Sequence, residues 1–117
     1  MQLEARKYLY DIQDAAGLAA QFTAGKTFAD YQTDPMLRLA VERAFSIIGE
    51  ALNQLARVDA ALAAAITDSR NIIAFRNILI HAYANVDDRI VWEIVEYKLP
   101  VLIREAADLM NQPDEAP

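Results

Sequence analysis

Apolar residues recur at steps of three and four along almost the whole 117-residue chain. That 3.6-residue period leaves room for little except an all-helical fold. The three glycines and four prolines lie mostly between the periodic segments or near their ends. Over residues 3–22, Ala5, Tyr8, Ile12, Ala15, Ala19 and Phe22 share one helical face, and Gly25 supplies a C-terminal stop. "TFADYQTDP" reads as a connection that closes on a helix start: Asp34 offers its carboxylate to free amides and Pro35 takes the first helical position.

The second helix, at about residues 35–56, carries the clearest pattern. Leu37, Val41, Phe45, Ile48, Leu52 and Leu55 make a core stripe, while Glu42, Ser46, Gly49, Glu50, Asn53 and Arg57 lie along another side. Glycine inside a helix costs about 1 kcal/mol relative to alanine. Gly49 therefore marks either a close approach by another backbone, such as a partner subunit, or a tolerated glycine on a solvated face. "VDAALAAAI" predicts a short helix near residues 59–66, and Thr67 and Asp68 offer caps for a helix through "AFRNILIHAY". Within that helix Phe75, Ile78 and Leu79 are the expected core anchors. Asp87 then caps a last helix through Trp92, Val95, Leu99, Leu102, Ala106 and Leu109, which Pro100 should kink or divide. The expected architecture is one domain over residues 1–110, an antiparallel four-helix bundle with an additional short helix, followed by a polar flexible tail at 111–117.

Composition narrows the function. With 55% hydrophobic residues and a mean hydropathy of +0.07, the chain is not of the disordered class. It has no cysteine, so disulfides, thiolate metal sites and thiol nucleophiles are excluded. No stretch resembles a signal peptide or a run of about 18 apolar residues, and the expected location is cytoplasmic, away from any membrane. A net charge of −6 opposes generic nucleic-acid binding, so any contact with RNA needs a local basic site.

One histidine and no HExxH-like pair leave no metal site and no cofactor expected. Asp87 and Asp88 can be read as magnesium ligands or as a helix cap. Neither Ser46 nor Ser69 sits in a nucleophile elbow. Arg76, Asn77, His81 and Tyr83 remain as the polar set. At about 100° per residue, Arg76 and Tyr83 lie within roughly 20° of one another, whereas Arg76 and His81 are roughly 140° apart. One straight helix cannot aim all three at one point. They converge if the helix ends near residues 80–82, or if two copies meet across a dimer axis. An imidazole for proton transfer, a guanidinium for phosphorane charge and a phenol for positioning are parts for metal-free phosphodiester cleavage. They are also parts that a buried, hydrogen-bonded helix end can carry, and spacing leaves both readings open.

"RNILIHAY" resembles the motif of the HEPN superfamily in its HepT-like form: arginine, four residues, histidine, one residue, tyrosine. "LRLAVERAFSIIGEALNQL" is similar to the family's long helix with an Ile-Gly-Glu element, and "VDDRIVWEIVEYKLPVL" to the segment after the motif. The likeness runs from about residue 8 to residue 109, departing at Ala82, where many members have glycine, and in the connection "ARVDAALAAAI". The resemblance implies a helical, dimeric endoribonuclease toxin, encoded beside a minimal nucleotidyltransferase antitoxin of the MntA type. It implies that Arg76 and His81 carry RNA cleavage at a cleft between subunits, with Asn77 in support and Glu50 orienting Arg76 or His81. Tyr83 stands where the antitoxin transfers AMP. Two alternatives are a non-catalytic helical subunit that binds nucleotide and presents substrate to such a nucleotidyltransferase, and a dimeric interaction module.

Overall fold

Thr27 begins a stretch that the periodicity reads as a connection but that folds as a helix. Its hydroxyl accepts from the Asp30 amide at 3.1 Å while the Asp30 carboxylate accepts from the Thr27 amide at 2.9 Å. This reciprocal capping box nucleates a helix of one and a half turns, α2 (Phe28–Thr33). It buries Tyr31 completely, with the ring against Trp92 at 5.5 Å between centroids. The computed structural model describes residues 1–113, and of Tyr83 the backbone only. Of the tail expected at 111–117, residues 114–117 lie outside the described residues.

The other elements are α1 (Leu3–Thr23), α3 (Pro35–Val58), α4 (Ala60–Ala64), α5 (Ser69–His81), a 3-10 turn (Tyr83–Asn85), α6 (Asp88–Glu93), a π-helical turn (Ile94–Lys98) and α7 (Leu99–Met110). The described residues contain no strand, and the fold is the all-α bundle expected, with two short helices, α2 and α4, where one was expected. Helix α3 is its axis, packing on α1 along one side and on α5 along another, while α1 also packs on α7. All six residues of the α3 core stripe are buried, each worth roughly 1.5–3 kcal/mol in apolar surface removed from water. Asp34 caps α3 as expected, its Oδ1 accepting from the Met36 and Leu37 amides. Gly25 adopts a left-handed φ of 73° just past α1.

Three local expectations change, and the one for Pro100 holds. The buried face of α1 is shifted: Leu9 and Ala16 lie in the core, whereas Phe22 is 37% exposed. Asp68 precedes α5 with a left-handed φ of 60° and its side chain does not cap the helix. It pairs with Lys98 at 2.7 Å, while Thr67 gives its amide and hydroxyl to Glu105 at 3.0 and 2.7 Å. These contacts tie the start of α5 to the π-helical turn and α7. Ile78 is 46% exposed and does not anchor α5; Leu79 is the residue it buries. Pro100 divides the last helix without a bend into coil. Lacking an amide hydrogen for the carbonyl four residues back, it is accommodated by a slip in register, in which the Leu99 amide bonds to Ile94 O.

Candidate functional site

Gly49 decides where the polar set of α5 can go. A β-carbon at this position would fall onto the β-carbon of Arg76, lie 2.8 Å from its γ-carbon and sit 3.3 Å from the Ile72 carbonyl oxygen. The close approach anticipated at Gly49 is therefore made by the chain's own α5, not by a partner subunit. Phe75, edge-on to Phe45 at 6.3 Å, locks the same crossing. With the backbones this close, Arg76 leaves α5 alongside α3 and its guanidinium reaches Glu50, one residue beyond the glycine.

Arg76 Nη2 and Glu50 Oε2 form an ion pair. Arg76 Nη1 donates to Asn77 Oδ1 at 2.8 Å, and Glu50 Oε1 accepts from Gln54 Nε2 at 3.0 Å. Arg76 Nε is buried and has no hydrogen-bond partner among the described residues. The arginine side chain is 23% exposed and that of Glu50 44%, so the pair sits at the edge of water rather than in the core. A pair so placed contributes little to stability; its effect is to hold the guanidinium in one place.

That place is the wall of a cleft of about 520 Å³ bounded by α1, α3 and α5. Arg76, Glu50, Arg43, Lys7, Tyr8 and Asp11 line it. The stripe of α3 that faces this cleft is Arg43, Ser46, Ile47, Glu50 and Gln54. Sequence reasoning placed Ser46 and Glu50 correctly on a polar side but put Glu42 there and passed over Arg43. Glu42 lies near Tyr31 and Asp88 instead, and burial, reinforced by the Asp88 charge, pushes its carboxyl above the usual range. Lys7 and Tyr8 come from α1, a helix on which nothing in residue type had marked a site.

The polar set of α5 does not meet at one point within this chain. Arg76 and Asn77 are joined by their hydrogen bond. His81 is the last residue of α5, exposed, and is not among the residues lining the cleft, although its neighbour Ile80 is. The helix does end at residues 81–82, with Ala82 as C-cap and the chain entering the 3-10 turn at Tyr83, but this end does not turn His81 back into the cleft beside Arg76. The side chain of Tyr83 lies outside what is described. Asp87 Oδ1 accepts from the Arg89 amide at 2.9 Å, which makes it a helix cap. Among the described residues no group of three or more His, Asp or Glu is placed to share a metal ion, and no helix is long and apolar enough to cross a membrane.

Comparison with known proteins gives a family match over most of the chain. A family model described as ribonuclease HepT-like matches residues 12–109. A protein of Thermococcus cleftensis named "Probable ribonuclease HepT" is 36% identical over 102 residues, 87% of this chain and 92% of its own. A protein of Methanocaldococcus jannaschii named as a candidate RNase is 31% identical over 102 residues, covering 87% of this chain and 93% of its own. Another, from Caldanaerobacter subterraneus and similarly named, is 29% identical over 107 residues, 92% of this chain and 95% of its own. No solved structure matches. The long α3 with its Ile-Gly-Glu element, the crossing helix α5 and all but the final residue of the divided last helix fall inside the matched span: the chain belongs to the HepT-like ribonuclease family.

Proposed function

We propose that this protein is a metal-independent endoribonuclease acting as the toxin of a toxin-antitoxin pair. The observation that carries the reading is Arg76: a guanidinium held by Glu50 and Asn77 in an open cleft, five residues before a histidine exposed at a helix end, in a chain of the HepT-like family. In this reading the ribose 2′-hydroxyl attacks the adjacent phosphorus and the 5′-oxygen of the next nucleotide leaves. The products are a 2′,3′-cyclic phosphate and a 5′-hydroxyl end. His81 moves the proton between these oxygens, and Arg76 offsets the charge that builds on the phosphorane.

Arg76 and His81 lie roughly 140° apart around α5, and the reading resolves this with a homodimer in which each cleft takes its histidine from the partner. Ile78 and Ile80, each 46% exposed beside His81, are apolar surface that such a contact would cover. Regulation follows from Tyr83, two residues after His81. A minimal nucleotidyltransferase of the MntA type would transfer AMP from ATP to its phenol, with pyrophosphate leaving and the phenolic proton lost, and the added negative charge would repel RNA from the site.

One observation favours a second reading. Arg76 is already paired with Glu50 in a chain of net charge −6, which suits a non-catalytic subunit that binds nucleotide for such a nucleotidyltransferase. Expression of the wild type and of His81→Ala separates the two. RNA cleavage and growth arrest that vanish in the variant support the ribonuclease; equal inactivity of both supports the subunit. The mass of protein co-expressed with the nucleotidyltransferase tests regulation: a gain of one or more adenylate groups on Tyr83 supports it, and an unmodified tyrosine overturns it.

A further inference from the structure

The cleft beside Arg76 contains a cation that the catalytic reading does not use. Of the three cations lining it, Lys7 is paired with Asp11 at 3.1 Å and rests 5.0 Å from the centre of the Tyr8 ring, and Arg76 is paired with Glu50. Arg43, exposed on α3, has no partner among the described residues. Three cations against the two carboxylates of Asp11 and Glu50 make this cleft locally positive in a protein of net charge −6. A local excess of that sign is what lets an acidic protein bring a polyanion to one place and not to the rest of its surface.

Resting on the ribonuclease reading, we propose that Arg43 is an RNA-binding residue: it holds a phosphate of the substrate strand next to the one seated at Arg76. Arg43 and Glu50 are seven residues apart on α3, within roughly 20° of one face, so Arg43 stands two helical turns from the carboxylate that fixes Arg76. A strand entering between α1 and α3 would meet Arg43 and Arg76 in succession. The phosphate held at Arg43 fixes the position of the strand without taking part in bond breaking.

The test is equilibrium binding of a fluorescent single-stranded RNA 12-mer to full-length protein in the His81→Ala background, over a series of salt concentrations. Arg43→Gln should weaken binding about 5- to 30-fold and reduce the slope of log affinity against log salt by about 0.7, the loss of one phosphate contact on a single strand. Arg43→Lys should recover most of the affinity, because a phosphate contact needs the charge. Arg104→Gln, an equal change of charge on exposed α7 outside the cleft, should alter neither quantity. If Arg43→Gln binds with the affinity and slope of Arg104→Gln, the proposal is overturned, as it is if Arg43→Lys binds no better than Arg43→Gln. Cleavage by protein with His81 intact is scored separately. Cleavage with no effect at Arg43 removes this inference and leaves the ribonuclease reading; Arg43-dependent binding without cleavage does the reverse.

Discussion

Gly49 and Arg76 are packed so that a single methyl group at residue 49 would occupy the space of the arginine's own β-carbon. Alanine at this point gains about 1 kcal/mol of helix propensity, but the overlap is with the first carbon of a side chain and with the Ile72 carbonyl, neither of which can swing aside. Overpacking of this kind costs about 1–3 kcal/mol, and α5 must lift from α3 to relieve it. Gly49→Ala should therefore lower the midpoint of urea unfolding. It should also reduce RNA cleavage more than the stability loss accounts for, because lifting α5 withdraws Arg76 from Glu50. A variant as stable and as active as the wild type would mean that the crossing is looser than described.

Glu50 holds Arg76 by charge while Gln54 holds Glu50. Glu50→Gln keeps the size of the side chain and removes the charge. The pair is too exposed for its loss to matter much to folding, so stability should change by less than about 1 kcal/mol. In the proposed reaction the guanidinium must stand at the phosphorane, and misplacement by about an ångström can cost on the order of 100-fold in rate. The expected result is a fall in kcat of about 10- to 100-fold with a melting temperature shifted by no more than about 5 °C. Full activity would remove Glu50 from the account of the site.

The residues behind these two predictions were unequally legible in the sequence. Gly49 declared a close approach because a mid-helix glycine has a cost that something must offset, but its partner, Arg76, lies 27 residues further along the chain, and no periodicity reports such a pairing. The long helices were readable because their apolar faces repeat. Helix α2 was not, since six residues are too few for a period to register, and its capping box, Thr27 with Asp30, is what announces it. Arg43 escaped for a related reason: it adjoins Glu42 on the polar side of α3, and only packing against α1 shows which of the two faces the cleft. Arg76 and His81 were legible as residue types from their motif, while their failure to converge within one chain follows from helix geometry alone.

Tyr31 is fully buried against Trp92, and its hydroxyl has no hydrogen-bond partner among the described residues. Burial, with the Glu42 and Asp88 carboxylates nearby, holds the phenol well above its ordinary pKa, so it stays protonated. An unsatisfied buried hydroxyl costs about 1–3 kcal/mol, and phenylalanine preserves the ring contact without it. Tyr31→Phe should raise stability by about 1 kcal/mol in urea unfolding. A loss of stability would reveal a hydrogen bond to that hydroxyl in solution.

Glu42 lies in the same cluster, with a carboxyl raised first by burial and then by Asp88, against a smaller opposing effect of Arg38. A carboxyl whose folded pKa exceeds its unfolded value binds its proton more tightly in the folded state. Its contribution to stability is fully present below the unfolded value of 4.5 and is lost as pH rises through the folded one. Measured as wild type minus Glu42→Gln, which cancels the other carboxylates, the stability difference should move in favour of the wild type as pH falls from 7 toward 4.5. At pH 7 Glu42→Gln should be the more stable protein. A difference independent of pH would show that Glu42 is solvated in the folded state.

The separation of Arg76 from His81 gives the sharpest test of a shared site. In a dimer whose clefts each combine one Arg76 with the partner's His81, Arg76→Ala and His81→Ala homodimers are both inactive. A heterodimer of the two retains one complete pair, because the intact arginine of one subunit faces the intact histidine of the other. Equal amounts unfolded and refolded together give half heterodimers with one working site of two, so about a quarter of wild-type cleavage should return. If both residues act from the same chain, every site in the mixture lacks one of them and nothing returns. Refolding each variant alone supplies the baseline, and the wild type carried through the same procedure supplies the scale.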